Sequence, residues 1–194
     1  MSSAMGTRHG QGRQLVLDAA IRLFRSKGIR AVGVNAVAAD AGVTKATLYS
    51  HFASKDALIV AALNERNVEW RRRLTRHFDH RAGDGERVLA VFDAYYEALI
   101  EDDYRPCPFV SFMAEFADVS HEGHQIVARH KQSLRKTLAD LCQAAGASEP
   151  EGLASDITRL LEGAYVMGAV LRDASEITLA KATATRLLFD AVPA

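Results

Sequence analysis

Proline is scarce in this chain, with four among 194 residues. Proline interrupts helices. Its rarity, the scant β-branched alternation and the abundance of Ala, Leu, Arg and Glu together point to an all-α fold. Cysteine is scarcer still, occurring only as Cys107 and Cys142. No Cys-x-x-Cys spacing is present, so neither a zinc site nor a redox pair is signalled, and no cofactor is expected. No apolar run approaches the length of a membrane span and no secretory signal is visible. The expected location is therefore the cytoplasm, with reduced thiols and no membrane partner. Nucleophile–base pairing, a phosphate loop and metal-ligand spacing are also lacking, so an enzyme is not expected.

Net charge is absent as well, because 24 Lys+Arg balance 24 Asp+Glu. That balance on its face disfavours a nucleic-acid partner, but the distribution reverses the inference. Residues 1–76 hold 13 basic against 5 acidic side chains, and residues 77–194 hold 11 against 19. A basic head and an acidic body each carry eight charges of excess, which places a nucleic-acid partner at the head.

Within that head, residues 34–58 read VNAVAADAGVTKATLYSHFASKDAL. Val34, Val37, Ala38 and Ala41 recur at helical spacing, and Gly42 stands where that helix must stop. Thr44 can cap a second short helix with its hydroxyl. Leu48 and Phe52, four apart, face inward and anchor it. Lys45, Ala46, Thr47, Tyr49 and His51 are left facing outward. Helix, tight turn and a basic, hydroxyl-rich helix make a unit suited to a nucleic-acid groove.

The pattern A-x-x-A-G-V-T-x-x-T-L-Y-x-H-F-x-S-K-x-x-L, from Ala38 to Leu58, resembles the DNA-binding domain of the TetR family of transcriptional repressors. The run Val16–Phe24 followed by Lys27-Gly28 is similar to that family's first helix and its glycine stop. The likeness covers about the first third of the chain. It implies a three-helix helix-turn-helix domain at the N-terminus and a helical ligand-binding and dimerisation domain behind it. It also implies base contacts in the major groove from Lys45 and Ala46. Phosphate contacts follow for Thr44, Thr47, Tyr49, His51 and Lys55. The chain departs from the family at two points. Ala46 replaces a frequent glycine, and Gly33 stands where a Ser or Thr often caps the second helix.

The expected organisation is a flexible arm over 1–11, the helix-turn-helix domain over 12–55 and the second domain over 56–194. Arg8 and Arg13 lie where a basic arm can reach DNA. The first helix is expected over about 12–27 and a fourth, capped by Ser54, to about 77. Arg71, Arg72, Arg73 and Arg76 read as a solvated face. Arg81–Gly85 marks a linker. Further helices are expected over about 86–102, 109–117, 122–145, 150–174 and 176–192.

In the second domain Phe92, Tyr96, Phe109, Phe112, Met113, Glu115, Phe116, His130, Tyr165 and Met167 are candidates for a small-molecule pocket, although such a stripe also describes ordinary core. Tyr96, Glu115 and His130 are polar groups among apolar neighbours. Cys107 beside Arg105 reads as a packed thiol or an electrophile sensor. His121 and His124 lack the i, i+4 spacing of a helical zinc site. Leu153, Ile157, Leu160, Leu161, Ala164, Gly168 and Leu171 form one apolar stripe. Ala180, Ala184, Leu187 and Leu188 form another. Such stripes serve an internal core or a partner equally well. The resemblance implies the second, a homodimer whose last two helices form a four-helix bundle.

Together these readings describe a ligand-responsive repressor. It binds a palindromic double-stranded DNA operator as a homodimer and is released by a small-molecule effector. The alternative is a helical small-molecule-binding or interaction protein that binds no operator.

Overall fold

A computed structural model describes residues 3–192, with side chains from Gly10 onward, and every regular element among these residues is a helix. In order they are α1 (Ser3–Lys27), α2 (Val34–Asp40), α3 (Lys45–His51), α4 (Lys55–Asp79), α5 (Asp84–Glu101), α6 (Pro108–Glu115), α7 (Glu122–Ala144), α8 (Pro150–Leu171) and α9 (Ser175–Ala191). The all-α expectation holds. No helix among the described residues is long and apolar enough to cross a membrane.

The helices sort into two compact units. The first comprises the described residues up to Arg66 together with Pro108–Val127. The second comprises Asn67–Cys107 and Ala128 onward. The expected boundary at 55/56 does not coincide with this division. The first half of α4, all of α6 and the start of α7 group with the helix-turn-helix.

In the first unit Val16, Leu17 and Ala20 of α1, Val37 and Ala38 of α2, Leu48 of α3 and Leu58 of α4 close a core. Phe109 and Phe112 of α6 are buried in the same unit. Gly42 ends α2 with φ +66°. Its amide donates to Ala39 O at 3.1 Å, and the amide of Val43 donates to Ala38 O at 3.0 Å. This paired arrangement needs a left-handed residue, which glycine adopts without strain. Two residues on, Thr47 N donates to Thr44 Oγ1 at 3.1 Å, so the expected cap of α3 is formed. Ser54 caps α4 through Ala57 N at 3.0 Å. Gly33 gives α2 no side-chain cap.

The second unit is built around α5, α8 and α9, with α7 contributing Leu134 and Leu138. Phe92 and Leu99 of α5, Ile157 and Leu161 of α8 and Ile177 of α9 are essentially inaccessible. At Gly168 an added Cβ would lie 2.7 Å from Leu99 Cδ2 and 3.1 Å from the Asp173 carbonyl oxygen. The glycine therefore lets α8 approach α5 and its own C-terminal turn closely.

Several boundaries move. Helix α1 begins at Ser3 rather than near Gly12. The expected arm is thus helical from Ser3, while residues 1–2 and the side chain of Arg8 lie outside the described residues. Gly10 and Gly12 hid this extension, since glycine is a poor helix former. Asp84 and Gly85 belong to α5 and not to a linker. Helix α8 stops at Leu171, because Arg172 turns left-handed at φ 53°.

The largest correction concerns the stripes of α8 and α9. Leu153, Ile157, Leu161, Ala164, Ala180, Ala184 and Leu188 lie in the chain's own core, partly buried Leu160 and Leu187 pack against it, and Gly168 is buried in α8. Periodicity reports that a face is apolar but not what covers it. Of the expected interface residues only Leu171 is exposed, at 54 %. The row that does face outward is Val166, Met167 and Val170 on α8, with Leu179 and Phe189 on α9.

Substituting Gly168→Ala inserts a methyl group against Leu99 and a backbone carbonyl. It is expected to cost about 1–3 kcal/mol of stability, measured as the shift in urea midpoint. An unchanged midpoint would show that α5 and α8 can separate without loss.

Candidate nucleic-acid interface

Helix α3 presents one wet face and one dry one. Leu48 is fully buried and Phe52, its C-cap, nearly so. Lys45, Ala46, Tyr49 and Ser50 are exposed and Thr47 is half-buried. The Thr44 and Thr47 hydroxyls are 2.9 Å apart. Ser50 Oγ donates to Thr47 O at 2.7 Å. The Lys45 ammonium lies 5.9 Å from the Tyr49 ring centroid, a cation–π distance that keeps the two side chains together on the open face. The Arg13 guanidinium lies over Phe52 at 5.0 Å, adding a further exposed cation on the α1 side. Arg22 of α1 is paired with Asp40 of α2 at 2.7 Å, so its charge is partly neutralised.

Two of the expected phosphate contacts are differently employed. His51 is half-buried against α1, where a Cβ on Gly12 would come within 2.9 Å of His51 Nε2. Lys55 does not stand free for a phosphate. Its ammonium donates to Ile29 O at 2.7 Å and more weakly to Arg30 O at 3.4 Å. A long side chain folds back when peptide carbonyls at a turn lack other partners. The sequence carries a lysine at the start of a helix, and nothing local distinguishes these two employments. Thr44, Lys45, Ala46, Thr47 and Tyr49 remain together on one accessible surface.

The expected ligand residues divide between the two units. Phe109, Phe112, Met113, Glu115 and Phe116 lie in the first unit, and Phe92, Tyr96, His130, Tyr165 and Met167 in the second. Phe112 stacks on Phe116 with centroids 4.7 Å apart and is flanked by His121 and His124. Those histidines serve local structure. His121 Nδ1 accepts from Gly123 N at 2.9 Å, and His124 Nε2 donates to Phe116 O at 2.7 Å. Met113, Tyr96 and Met167 are exposed. Glu115 accepts from Ile29 N at 3.0 Å and Arg30 N at 2.7 Å.

In the second unit a cavity of about 240 Å³ is bordered by Asn67, Trp70, Arg71, Thr75, His130 and Ser133, with Leu74 among its apolar lining. His130 is the one expected ligand residue in it. Asn67 and Trp70 went unrecognised, although Asn67, Trp70 and Leu74 share one face of α4 by spacing. His130 Nδ1–H donates to Asn67 Oδ1 at 3.0 Å, and its ring meets Trp70 at 6.3 Å. Burial, then the nearby cations Lys131 and Arg71, lower the imidazole to about 3. Deeper in this unit Tyr95 donates to Glu162 Oε1 at 2.8 Å, and Lys131 reaches the same oxygen at 2.5 Å. Burial and the Glu162 charge raise the Tyr95 phenol well above its ordinary range. The Tyr95 ring also packs edge-on against Trp70 and Tyr165. Among the described residues no group of three His, Cys, Asp or Glu is placed to hold a metal ion. The Cys142 thiol is buried and pushed up to about 11.

An exposed basic and hydroxyl-bearing helix, set by a tight turn on a partner helix that buries Val37 and Ala38, has the geometry of a helix-turn-helix DNA-binding unit. Residues 16–62 match the sequence profile of bacterial regulatory proteins of the tetR family. The HTH-type transcriptional regulator BetI of Rhizobium meliloti is 25% identical over 79% of this chain and 76% of its own. The HTH-type transcriptional activator FasR of Mycolicibacterium smegmatis is 34% identical over 54% of this chain and 52% of its own. A crystal structure of a TetR-family transcriptional regulator from Streptomyces coelicolor superposes with a TM-score of 0.88 at 28% identity, over 95% of this chain and 97% of that one. The first third of the chain is thus similar in sequence to the DNA-binding domain of TetR-family transcriptional regulators, and the chain as a whole shares the fold of one.

The ring of His130 generates a pH prediction. Its native pKa, about 3, lies below the ordinary 6.5, so the unfolded chain binds the extra proton as pH falls. Stability contributed by this group is present above the unfolded value and is lost on acidification, by about 2 kcal/mol between roughly pH 7 and pH 5. Urea unfolding of wild type and His130→Phe across this range should show a shallower loss in the variant. Equal slopes would place the proton elsewhere.

Proposed function

We propose that the chain is a ligand-responsive repressor that binds a palindromic double-stranded DNA operator as a homodimer and releases it when a small molecule occupies the second unit. The observation that carries the reading is the open face of α3. Thr44, Lys45, Ala46, Thr47 and Tyr49 share that face, on a helix whose Leu48 is locked in the core. Lys45 donates to base edges and Ala46 meets a thymine methyl, while the Thr44, Thr47 and Tyr49 hydroxyls contact phosphate. His51 and Lys55 support the reading helix from behind instead of touching DNA. The protein acts in the cytoplasm, on the DNA itself, and performs no catalysis.

The homodimer is supported by the outward apolar row of α8 and α9. Val170 is 72 % exposed and Phe189 81 %, an unusual exposure for large apolar side chains on neighbouring helices. A second copy would cover this row and set two reading helices about one turn of DNA, or a multiple, apart. Effector response is supported by the cavity beside His130 and by the polar cluster of Tyr95, Lys131 and Glu162 in the same unit. Occupancy there favours one of two dimer geometries, a population shift that needs different ligand affinity in the two states.

Gel-shift titration against DNA from the chain's own upstream region, at about 50 and 200 mM salt, tests the assignment. Affinity is expected to fall steeply with salt, by about a thousandfold or more if six or more phosphates are neutralised. Lys45→Ala should relax base preference by about 1–3 kcal/mol at one position of each half-site. Equal affinity of both proteins for operator and random DNA would sink the reading.

The dimer is tested separately. Val170→Glu is expected to yield a folded monomer in sedimentation, with operator affinity reduced at least tenfold. A variant that remains dimeric moves the interface away from this row.

A further inference from the structure

The turn that joins α1 to α2 is held from both sides by charged residues that oppose their own helices. Gly28 turns left-handed at φ +84°, which points the amides of Ile29 and Arg30 the same way. Glu115 accepts from both, at 3.0 and 2.7 Å, one carboxylate oxygen to each. Opposite, the Lys55 ammonium donates to Ile29 O at 2.7 Å and more weakly to Arg30 O at 3.4 Å. Two successive residues thus have their amide donors on an anion and their carbonyl acceptors on a cation. The carboxylate also lies close over the glycine, since a Cβ on Gly28 would be 3.4 Å from Glu115 Oε1.

Neither charged residue suits its helix. Glu115 is the last residue of α6 and Lys55 the first of α4. A negative charge at a helix C-terminus and a positive charge at an N-terminus both oppose the macrodipole. Their partners at the turn explain why these residue types stand there. Converging backbone amides after a left-handed residue form an anion-binding concavity, and this one is filled by the chain itself. Beside it, the Arg30 guanidinium lies 5.6 Å from the ring centroid of Phe116, the residue after Glu115, and tethers the same two segments again.

The turn leads directly into α2. Val32, which is buried, follows Arg30 by two residues, and α2 starts at Val34. Helix α2 packs against both α1 and α3. The path of the Gly28–Arg30 peptides therefore sets where α2 begins, and through it the pose of α3 on α1.

We infer that Glu115 is a positioning residue for operator binding: from the end of α6 it latches the Gly28–Arg30 turn and so holds the reading helix in its DNA-competent pose. The inference rests on the operator reading above. It assigns α6 a place in the DNA-binding unit, with no contact of its own to DNA.

Amide hydrogen exchange and promoter gel shifts on full-length Glu115→Ala and Glu115→Gln, with thermal midpoints alongside, test the latch. In Glu115→Ala the Ile29 and Arg30 amides are expected to exchange at least tenfold faster, and operator affinity to fall about tenfold. The slope of log affinity against log salt should stay unchanged, because no phosphate contact is removed. Glutamine offers one oxygen to two amides. Glu115→Gln should therefore expose one of them, lower affinity by a smaller factor and leave the thermal midpoint near wild type. This variant carries the test if the alanine protein does not fold. Wild-type exchange at both amides in either folded variant would overturn the inference. So would full operator affinity with both amides exposed, or a changed salt slope. If wild-type protein ignores promoter DNA, the operator reading fails, and the exchange data still decide whether the latch exists.

Discussion

Peptide groups at the end of a helix must find partners, and the α1–α2 turn is where this constraint governs most of the head. The turn that follows α1 holds amides and carbonyls outside any helical ladder, at Ile29 and Arg30. One set is met by a carboxylate from α6 and the other by an ammonium from α4. The hydrophobic core formed by Leu17, Val37, Leu48 and Leu58 supplies the bulk of the stabilisation. Burial alone is tolerant of small rotations, however, whereas hydrogen bonds to a fixed turn are directional. A helix that must meet base edges within a fraction of an ångström needs the second kind of restraint as well as the first.

The second unit solves a different problem. Its helices α8 and α9 are apolar on more than one face, and the inward faces are consumed by Phe92, Leu99 and their neighbours. What remains outside is a row that includes Val170 and Phe189. Gly168 leaves room for Leu99, which a Cβ there would meet at 2.7 Å. Several polar groups buried in this unit are satisfied by one another. Tyr95 and Lys131 share Glu162, and His130 is neutral beside Asn67. Such groups cost little when partnered and tie the packing to one arrangement.

Much of the head was legible in the sequence because its signals are local. Thr44 capping, the Gly42 stop and the Leu48–Phe52 anchor each involve residues within about five positions of one another. The likeness to a known family rests on the same stretch. Glu115 was not legible. Its partner Ile29 lies 86 residues away, so no spacing rule joins them, and an acidic residue among aromatics reads as a pocket group. The bonds of Lys55 to the turn carbonyls were not legible for a related reason, since Ile29 lies 26 residues away. The α8 and α9 stripes were read correctly as apolar but assigned to the wrong partner. The outward row was overlooked because Val166, Val170 and Leu179 fall out of phase with the stronger stripe.

The division of the chain into interleaved stretches bears on how such proteins can be recombined. Pro108–Val127 belongs with the helix-turn-helix, although 41 residues of the other unit, Asn67–Cys107, intervene. A chimaera that grafts this head onto a foreign body at residue 66 would leave Glu115 behind, and with it the anion that occupies the α1–α2 turn. If Glu115 latches that turn as inferred, exchange of the proposed operator specificity requires two transplanted segments or a body whose own sixth helix ends in a carboxylate at the same place. Exchanging the five residues of the proposed reading face in situ avoids that requirement.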